Sequence, residues 1–589
     1  MSPANVHTSR PARAGGPRVH RERRRQKRTT SLFAHGEPMV WLTGGALALA
    51  LCMVIGLLGL VLFQGLGTFW PGPLVVKHLL DGRTVAGEIA VVESYTPDQR
   101  GFEALPESAR AAARARVEAQ GGRASRQMIR SGNFDLTGEH FTWVSDIETE
   151  GESMPAWMLV VERQSWGRFY GSPSAFLLDG KSVASEPAEV WRCFEAHHDA
   201  VRARWKERER LKTEDIGRIN ARTEAARLKL RQIELTEGPS SAAALEARQS
   251  HDAIASQADA DFALVRRQIE QLEQENARTA LVLSTADGVD KQLGLDEIVR
   301  AYPANQLGWM GKCGVYFSRW SEFLLGEPRE ANSEGGVFPA IFGTVAMTLI
   351  MTIVVVPFGV LAALYLREYA RPGVLVSFVR IAINNLAGVP SIVFGVFGLG
   401  FFCYIVGAHL DASFFSANLP NPTYGKGGLL WAALTLALLT LPVVIVPTEE
   451  ALSAVPSSMR EGSYACGATR WQTIRRIVLP RAMPGIMTGA ILALARGAGE
   501  VAPLMLVGAV KLAPELPIDG TAPFVHPERS FMHLGFHIFD LGFQSQNSEA
   551  AKPMVYTTTL LLIAIVVTLN LLAIWVRARL RRRFSGVHV

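Results

Sequence analysis

Six long apolar runs constrain the fold of this 589-residue chain more than any other feature. Each run has about 18 residues or more, which is long enough for a helix to cross the hydrocarbon layer of a bilayer. The runs cover residues 39–63, 337–366, 378–406, 429–446, 485–507 and 554–576. The sequence therefore predicts an all-α polytopic membrane protein, with a first transmembrane helix at 39–63 and a five-helix core at 337–577.

Lysine and arginine are concentrated at the two ends of the chain. Nine of them precede the first span and five follow residue 576, whereas the loops 409–426 and 511–552 have no basic excess. By the positive-inside rule, the basic N-terminus 1–38 and the basic tail 578–589 are cytoplasmic. We therefore expect a multi-pass protein of the bacterial inner membrane. The net charge of +6 is then mainly a topology signal, and nucleic-acid binding by the N-terminus is the weaker alternative.

A segment of soluble composition, 70–336, separates spans one and two, and the predicted topology places it outside the cytoplasm. β-branched and aromatic residues near its start favour strands. Residues 189–279 are highly charged, with apolar residues at helical spacing on both sides of a Gly-Pro-Ser break. We expect a mixed α/β insert that contains a helical hairpin, whose charges form a solvated face or dock a partner. Cys193 and Cys313 leave open a disulfide in an oxidising compartment.

A polar, arginine-rich loop at 449–484 follows span four on the predicted cytoplasmic side. It keeps the spacing Glu-x5-Gly-x9-Ile-x-Leu-Pro, with the residues Glu461, Gly467, Ile477, Leu479 and Pro480. We predict a short helix, a turn at Gly467, and a second short helix that Pro480 stops. The spacing resembles the EAA loop of importer-type ABC permeases, although Gly462 and Ser463 replace the two alanines. The resemblance implies docking into a cleft of a separate ATPase subunit; a loop lying on lipid headgroups is the alternative.

Span five carries two charges, Arg496 and Glu500, four residues apart. An arginine near mid-membrane costs about 2.5 to 3.5 kcal/mol on insertion scales, so it needs a partner or a water-filled path. Glu500 is predicted to lie one helical turn further along the same face and to be that partner. Because a guanidinium suits tetrahedral oxyanions, we predict that the pair handles an anionic substrate. A structural pair that only holds helices together is the alternative.

Span three contains Gly388, Pro390 and Ser391 near its middle. Pro390 lacks a backbone donor and clashes with the preceding turn, so it should kink or break the helix there. A broken helix exposes backbone groups to a central cavity, as in discontinuous transporter helices. These three residues therefore join Arg496 and Glu500 in the candidate substrate path. A kink that serves only packing is the alternative.

Three segments together resemble one family. They are Gly-Val-Pro-Ser-Ile-Val-Phe-Gly in span three, Arg-Glu-Gly-Ser-Tyr-Ala-Cys-Gly in the loop and Leu-Ala-Arg-Gly-Ala-Gly-Glu in span five. They are similar to the permeases of the phosphate-specific (Pst) ABC importer, most closely the PstA type. The resemblance excludes the insert. It implies a sister permease of the PstC type, an ATPase dimer of the PstB type and an extracytoplasmic phosphate-binding protein of the PstS type. Membrane lipid is the remaining expected partner.

The chain has no G-x4-G-K-[ST] nucleotide motif, and its 13 histidines show no metal-ligand spacing. We therefore expect no catalytic residue, metal or cofactor in this chain, and we expect ATP-Mg to bind to the partner ATPase. The predicted function is a transmembrane permease subunit that moves inorganic phosphate, not an enzyme. A permease for another oxyanion, or a membrane scaffold or sensor that acts through the insert, is the alternative.

Overall fold

The computed structural model describes residues 37–585 except 104, 120, 514, 521–523 and 546–547. The chain forms two units, residues 1–60 and 61–589. In the first unit, residues 37–60 are helical, and the side chains of residues 39–60 are exposed. Residues 1–36 of the predicted basic N-terminus and residues 586–589 of the tail lie outside the described residues.

The insert begins after helix α1 (Glu37–Gly67) with an antiparallel five-stranded sheet. The strands follow the spatial order β4-β3-β2-β1-β5. They are β1 (Leu74–Leu79), β2 (Thr84–Tyr95), β3 (Ala124–Arg130), β4 (Phe141–Ser145) and β5 (Thr149–Ser153). Three short helices connect them, α2 (Gln99–Glu103), α3 (Glu107–Ala119) and α4 (Phe134–Thr137).

A second antiparallel sheet completes the insert. Its main strands follow the order β10-β9-β7-β6-β11, and β8 pairs with β7 at one side. They are β6 (Leu159–Arg163), β7 (Arg168–Leu178), β8 (Lys181–Ala184), β9 (Thr279–Ser284), β10 (Asp290–Gly294) and β11 (Ile298–Pro303). A two-stranded ribbon of β12 (Pro328–Arg329) and β13 (Glu334–Gly335) precedes span two. The mixed α/β character predicted for the insert is confirmed.

Two long helical stretches project from the second sheet between β8 and β9. The first contains α5 (Pro187–Arg210), a π turn (Leu211–Asp215) and α6 (Ile216–Glu237), and the second is α7 (Ala242–Asn276). Gly238 ends the first stretch at a φ of 90°, and ion pairs then join the two stretches at Arg222–Asp261 (2.7 Å) and Lys212–Glu273 (3.2 Å). Helix α6 also packs against the turn Ser416–Asn418, which precedes span four.

Helix α8 (Trp309–Leu325) connects the second sheet to the residues that follow α1. The buried Arg319 donates to Glu162 Oε1 from Nε (2.8 Å) and to the carbonyl oxygen of Phe69 from Nη1 (3.1 Å). Burial alone would raise the pKa of Glu162, but Arg319, Arg300 and Arg168 outweigh it and hold that pKa far below its usual value. The five cysteines are all free, so no disulfide joins Cys193 to Cys313.

The second half of the chain is helical. Its helices are α9 (Phe338–Leu364), α10 (Val374–Leu386), α11 (Ser391–Phe397), α12 (Ala408–Phe414), α13 (Leu429–Ser453), α14 (Ser457–Ala465), α15 (Arg470–Thr473), α16 (Leu479–Gly499), α17 (Ala502–Val507), α18 (Leu534–Phe539) and α19 (Ser548–Ser585). Within the described residues, six helical segments are long and apolar enough to cross a membrane. They are Met39–Gly67, Phe338–Tyr369, Ser391–Phe414, Leu429–Ser453, Arg470–Gly499 and Ala551–Arg579. The prediction of six spans is confirmed.

Span three departs from its predicted bounds, 378–406. Helix α10 ends at Leu386, and the membrane-length segment begins only at Ser391. Pro390, at a ψ of 137°, is the N-terminal cap of that segment. Because proline has no N–H to donate to the carbonyl four residues earlier, and its ring clashes with that carbonyl, the earlier helix cannot continue through this position. Pro390 therefore separates two helices.

The core of the membrane-spanning part lies where α9, α13 and α16 pack together. Its fully buried side chains include Met347, Met351, Leu436, Val444 and Ala493. A Cβ atom at Gly497 would lie only 2.4 Å from the Sδ atom of Met351, so the absence of a side chain allows α16 to approach α9 this closely. This contact fixes the position of the neighbouring Arg496 on α16.

Candidate coupling loop and translocation path

The segment between spans four and five is shorter than the predicted loop 449–484. Helix α13 continues to Ser453, and the membrane-length segment of span five begins at Arg470. Helix α14 lies between them and carries Glu461, whose side chain is exposed. Gly467 follows α14 at a φ of 79°, in the left-handed region that glycine adopts without a steric cost. The predicted turn at Gly467 is therefore present in the structure.

The helix after this turn begins with a capping box. Thr469 Oγ1 accepts from the backbone N–H of Gln472, and Gln472 Oε1 accepts from the backbone N–H of Thr469. These two hydrogen bonds satisfy backbone donors that a helix start leaves without partners. Ser463 Oγ lies 2.8 Å from Thr473 Oγ1 and so connects the helices on the two sides of the turn.

The prediction that Pro480 stops this helix is wrong. The chain stays helical from Arg470 through a π turn (Ile474–Val478) into α16. In the π turn, the N–H of Leu479 donates to the carbonyl of Ile474, five residues back. This wide turn already interrupts the regular hydrogen-bond ladder just before Pro480, so the N–H that proline lacks does not end the helix.

The loop has a buried side and an exposed side. Ile474 and Val478 are buried against Ala363, Leu366 and Leu452, which belong to the cytoplasmic ends predicted for spans two and four. Ile477, Leu479 and Pro480 are half-buried. The exposed side contains Glu461 and Gly467 together with two large side chains, Tyr464 and Trp471. One side thus packs on the spans, and the other can contact a second protein.

Arg460 joins the loop to two spans at once, although no sequence pattern singles it out. Its Nη2 donates to Glu368 Oε1 (2.8 Å) at the end of span two and to the carbonyl oxygen of Leu452 (2.8 Å) in α13. Its Nη1 donates to the carbonyl oxygen of Val455 (2.6 Å). Arg460 directly precedes the motif residue Glu461, but Glu368 is 92 positions away in sequence, so no local pattern reveals the pair.

Arg496 and Glu500 lie together, with Nε of Arg496 3.4 Å from Oε1 of Glu500. The prediction that both belong to one continuous helix is wrong, because α16 ends at Gly499 and Glu500 is its extended C-terminal cap. Pro503 explains this end, since its ring would clash with the carbonyl of Gly499 and it has no N–H to offer. The pair therefore sits at a helix break, and the Arg496 side chain remains 41% exposed.

The break after Glu500 lies beside the break before Ser391. Helix α17, which follows Glu500, packs against α11, which begins at Ser391. The contact is close: a Cβ atom at Gly395 would lie 2.8 Å from the Cα atom of Pro503. Gly388 and Pro390 are exposed and Ser391 is half-buried. Among the described residues, no hydrogen bond or ion pair connects these three to Arg496, so the structure brings together their helices and not their side chains.

A buried polar cluster that was not among the predicted site residues lies around α18. His533 and His537 are almost fully buried around α18, and burial lowers the pKa of His533 to about 3 and that of His537 to about 4. Asp540 lies one turn beyond His537, and its Oδ2 is 3.1 Å from Nζ of Lys511. Within the described residues, neither ring nitrogen of His537 has a hydrogen-bond partner. His533 and His537 are four residues apart in the sequence, so they fall on one helical face, but this spacing alone does not indicate that both are buried.

Part of the second half of the chain is similar to known proteins. Residues 355–586 match the family described as binding-protein-dependent transport system inner membrane component. The chain is 35% identical over 202 residues to the probable ABC transporter permease protein YqgH of Bacillus subtilis (strain 168), covering 34% of this chain and 62% of that protein. It is 40% identical over 194 residues to the phosphate transport system permease protein PstA of Mycobacterium leprae (strain TN), covering 33% of this chain and 57% of that protein.

Among solved structures, a chain of the MetNI methionine ABC transporter in an inward facing conformation aligns with 42% of this chain and 97% of its own length, at 22% identity and a TM-score of 0.30. The chain spans less than two thirds of the two relatives named above. Residues 355–586 are thus similar to inner-membrane components of transport systems, and the described residues of the whole chain include six helices that are long and apolar enough to cross a membrane.

Proposed function

We propose that this chain is a transmembrane permease subunit of an ATP-driven importer that moves inorganic phosphate across the inner membrane. The observation that carries the proposal is the two-sided loop 457–478, which packs on the ends of spans two and four and exposes Glu461, Tyr464 and Trp471. Such a surface on an importer-type permease fits docking of a separate ATPase. The phosphate assignment rests on the motif segments and on the PstA relative.

The proposed partners are a sister permease of the PstC type, an ATPase dimer of the PstB type that binds ATP-Mg, and a phosphate-binding protein of the PstS type. Within this chain, a movement of α14 reaches the spans through Arg460, which is bonded to Glu368 and to the carbonyl of Leu452. The hydroxyl pair of Ser463 and Thr473 transmits the same movement to α16. A partner that binds one loop orientation more tightly would shift the spans between two conformations.

We assign substrate contact to Arg496. Its Nε is engaged by Glu500, and no other hydrogen bond of this guanidinium occurs in the described part of the chain. A guanidinium carries five N–H donors, so the terminal nitrogens are able to donate to an oxyanion while Glu500 balances the charge between transport cycles. The adjoining breaks before Ser391 and after Glu500 add backbone polar groups near the same path.

The test measures uptake of labelled phosphate by the assembled importer in proteoliposomes. Replacing Arg496 with Gln should reduce uptake roughly ten- to a hundredfold, since a hydrogen bond to a charged group contributes about 1.5 to 3 kcal/mol. Arg496→Lys keeps the charge without the planar fork and should restore uptake only in part. An excess of sulfate or molybdate should not compete, which separates a phosphate permease from one for another oxyanion.

The double variant Arg496→Gln, Glu500→Gln distinguishes substrate handling from a purely structural pair. If the pair only holds helices together, Arg496→Gln leaves Glu500 unpaired and impairs assembly, and removal of both charges restores assembly and uptake. If Arg496 contacts phosphate, the double variant assembles and still fails to transport. Full recovery of uptake in the double variant would contradict the proposal.

A further inference from the structure

Helix α8 has an apolar face that nothing in the described part of the insert covers. Its exposed large side chains are Trp309, Met310, Phe317 and Leu325, with exposed fractions of 74%, 85%, 67% and 72%. Met310 and Phe317 are seven residues apart, so they lie on the same side of the helix. Large exposed apolar surfaces of this kind mark sites that contact lipid or another protein.

The other side of α8 is buried: Phe323 packs among Val337, Ala340 and Leu534, and the polar residues beside it are engaged in the insert. Arg319 is buried and bonded to Glu162 and to the hydroxyl of Tyr302. Glu322 accepts from Arg300 (2.9 Å) and is also paired with Arg329. The helix is therefore amphipathic, and its ion pairs fix which face is turned outwards.

The position of α8 is set by contacts with the end of span one. The hydroxyl of Tyr316 donates to the carbonyl oxygen of Leu66 (3.1 Å), one residue before α1 ends at Gly67. The ring of Trp70 lies 6.5 Å from that of Trp309 and 5.7 Å from that of Tyr316, between centroids. Helix α8 thus packs beside the last turn of α1, and its aromatic residues are of the types that favour the membrane–water boundary.

We propose that α8 is an interfacial helix that lies in the leaflet on the side of the insert, with Trp309, Met310 and Phe317 inserted among phospholipids. Phe63 and Leu66 near the end of span one are also exposed, so the apolar surface of α8 continues the apolar surface of a predicted membrane span. An amphipathic helix with Trp and Phe on one face and a polar opposite face has the composition of such helices. This contact fixes the insert on the bilayer independently of the transported substrate.

The proposal is tested by photo-crosslinking the full-length chain in vesicles of phosphatidylethanolamine and phosphatidylglycerol. Benzoylphenylalanine is placed singly at Met310 and at Phe317. Matched controls replace Ile353 on span two, which is 72% exposed, and Leu264 on α7, which is 59% exposed. All four positions are exposed, so the substitutions leave the core intact. Irradiated protein is analysed by mass spectrometry for phospholipid adducts and by gel for crosslinked protein.

Positions 310 and 317 should give phospholipid adducts in yields similar to that of position 353 and several-fold above that of position 264. Adduct yields at 310 and 317 no higher than at 264 would overturn the proposal. The experiment is repeated with the assembled importer. Crosslinks from both positions to another subunit or to a second copy of this chain, in place of lipid, would also overturn the proposal, because α8 would then be a protein interface.

Discussion

At the scale of single residues, two arginines of the helical half are paired with carboxylates, whereas two buried histidines are held in their neutral forms. Arg496 and Arg460 each meet a carboxylate. His533 and His537 instead are buried, and the loss of water lowers their pKa values to about 3 and about 4, although Asp540 acts in the opposite direction on His537. These two histidines make stability depend on pH.

We predict that acid destabilises the protein through this histidine pair. The folded state holds both histidines neutral, whereas an unfolded histidine takes up a proton near pH 6.5. The unfolded state therefore binds more protons below about pH 6.5, and each histidine lowers the free energy of unfolding by up to about 1.4 kcal/mol for every further pH unit until its own folded pKa is reached. The unfolding temperature of the purified protein should fall between pH 7.5 and pH 5.5.

The variant His537→Gln removes one of the two titrating groups, so it should flatten this pH dependence. His78→Gln is the matched control, because His78 is exposed on β1. An unchanged pH dependence in His537→Gln would refute the assignment to the buried pair.

At the scale of helices, the loop 457–478 behaves as a part attached to the spans and not as a free connector. Its buried residues Ile474 and Val478 pack on spans two and four, and Arg460 adds hydrogen bonds to both. The π turn keeps the loop continuous with α16. A movement of α14 would therefore be transmitted directly to spans two, four and five.

We predict that Arg460→Met uncouples ATP hydrolysis from uptake. The change leaves the mostly buried Glu368 without its partner and two carbonyl oxygens without donors, so α14 loses its connection to span two. Phosphate uptake by the assembled importer should fall about tenfold or more, which corresponds to about 1.4 kcal/mol, while ATP hydrolysis persists. Arg371→Met, at an exposed position before α10, is the control and should transport normally. Normal uptake in Arg460→Met would exclude this connection.

At the scale of the whole molecule, the insert has a compact part and a projecting part. Its apolar core combines the second sheet with residues of α5, including Val190, Phe194 and Val201. Helices α6 and α7 add no residue to that core, although α6 packs against Ser416–Asn418. The projecting part is therefore separable from the fold of the insert.

We predict that replacing residues 213–272 with a short Gly-Ser linker preserves insertion and phosphate uptake. The ends to be joined are already close, since Nζ of Lys212 lies 3.2 Å from Oε1 of Glu273. Uptake and membrane content of the shortened chain are compared with those of the full chain. A deletion that also removes α5 is the control and should unfold the insert, because it removes core residues. Complete loss of uptake in a correctly inserted 213–272 variant would place the projecting helices in the transport cycle.

Some features of this protein follow from the sequence alone because they depend on neighbours in the chain. The six spans follow from the length of apolar runs, and the turn at Gly467 follows from the one residue type that adopts a φ of 79° freely. The break at Pro390 was expected for the same local reason, although its effect, two separate helices, shifted the start of span three to Ser391.

Other features depend on which distant segments pack together, and only the tertiary structure decides them. Glu368 and Arg460 meet across 92 positions, and His533 is deprived of water by packing around α18. Proline also has opposite effects at two positions. The helix continues through Pro480, where a π turn already interrupts the regular hydrogen bonds, but it ends before Pro503. The outward face of α8 is likewise set by tertiary structure. Arg319 can be buried only where Glu162 pairs with it, because a buried charge without a partner is strongly destabilising. The side of α8 away from Arg319 is therefore the exposed one.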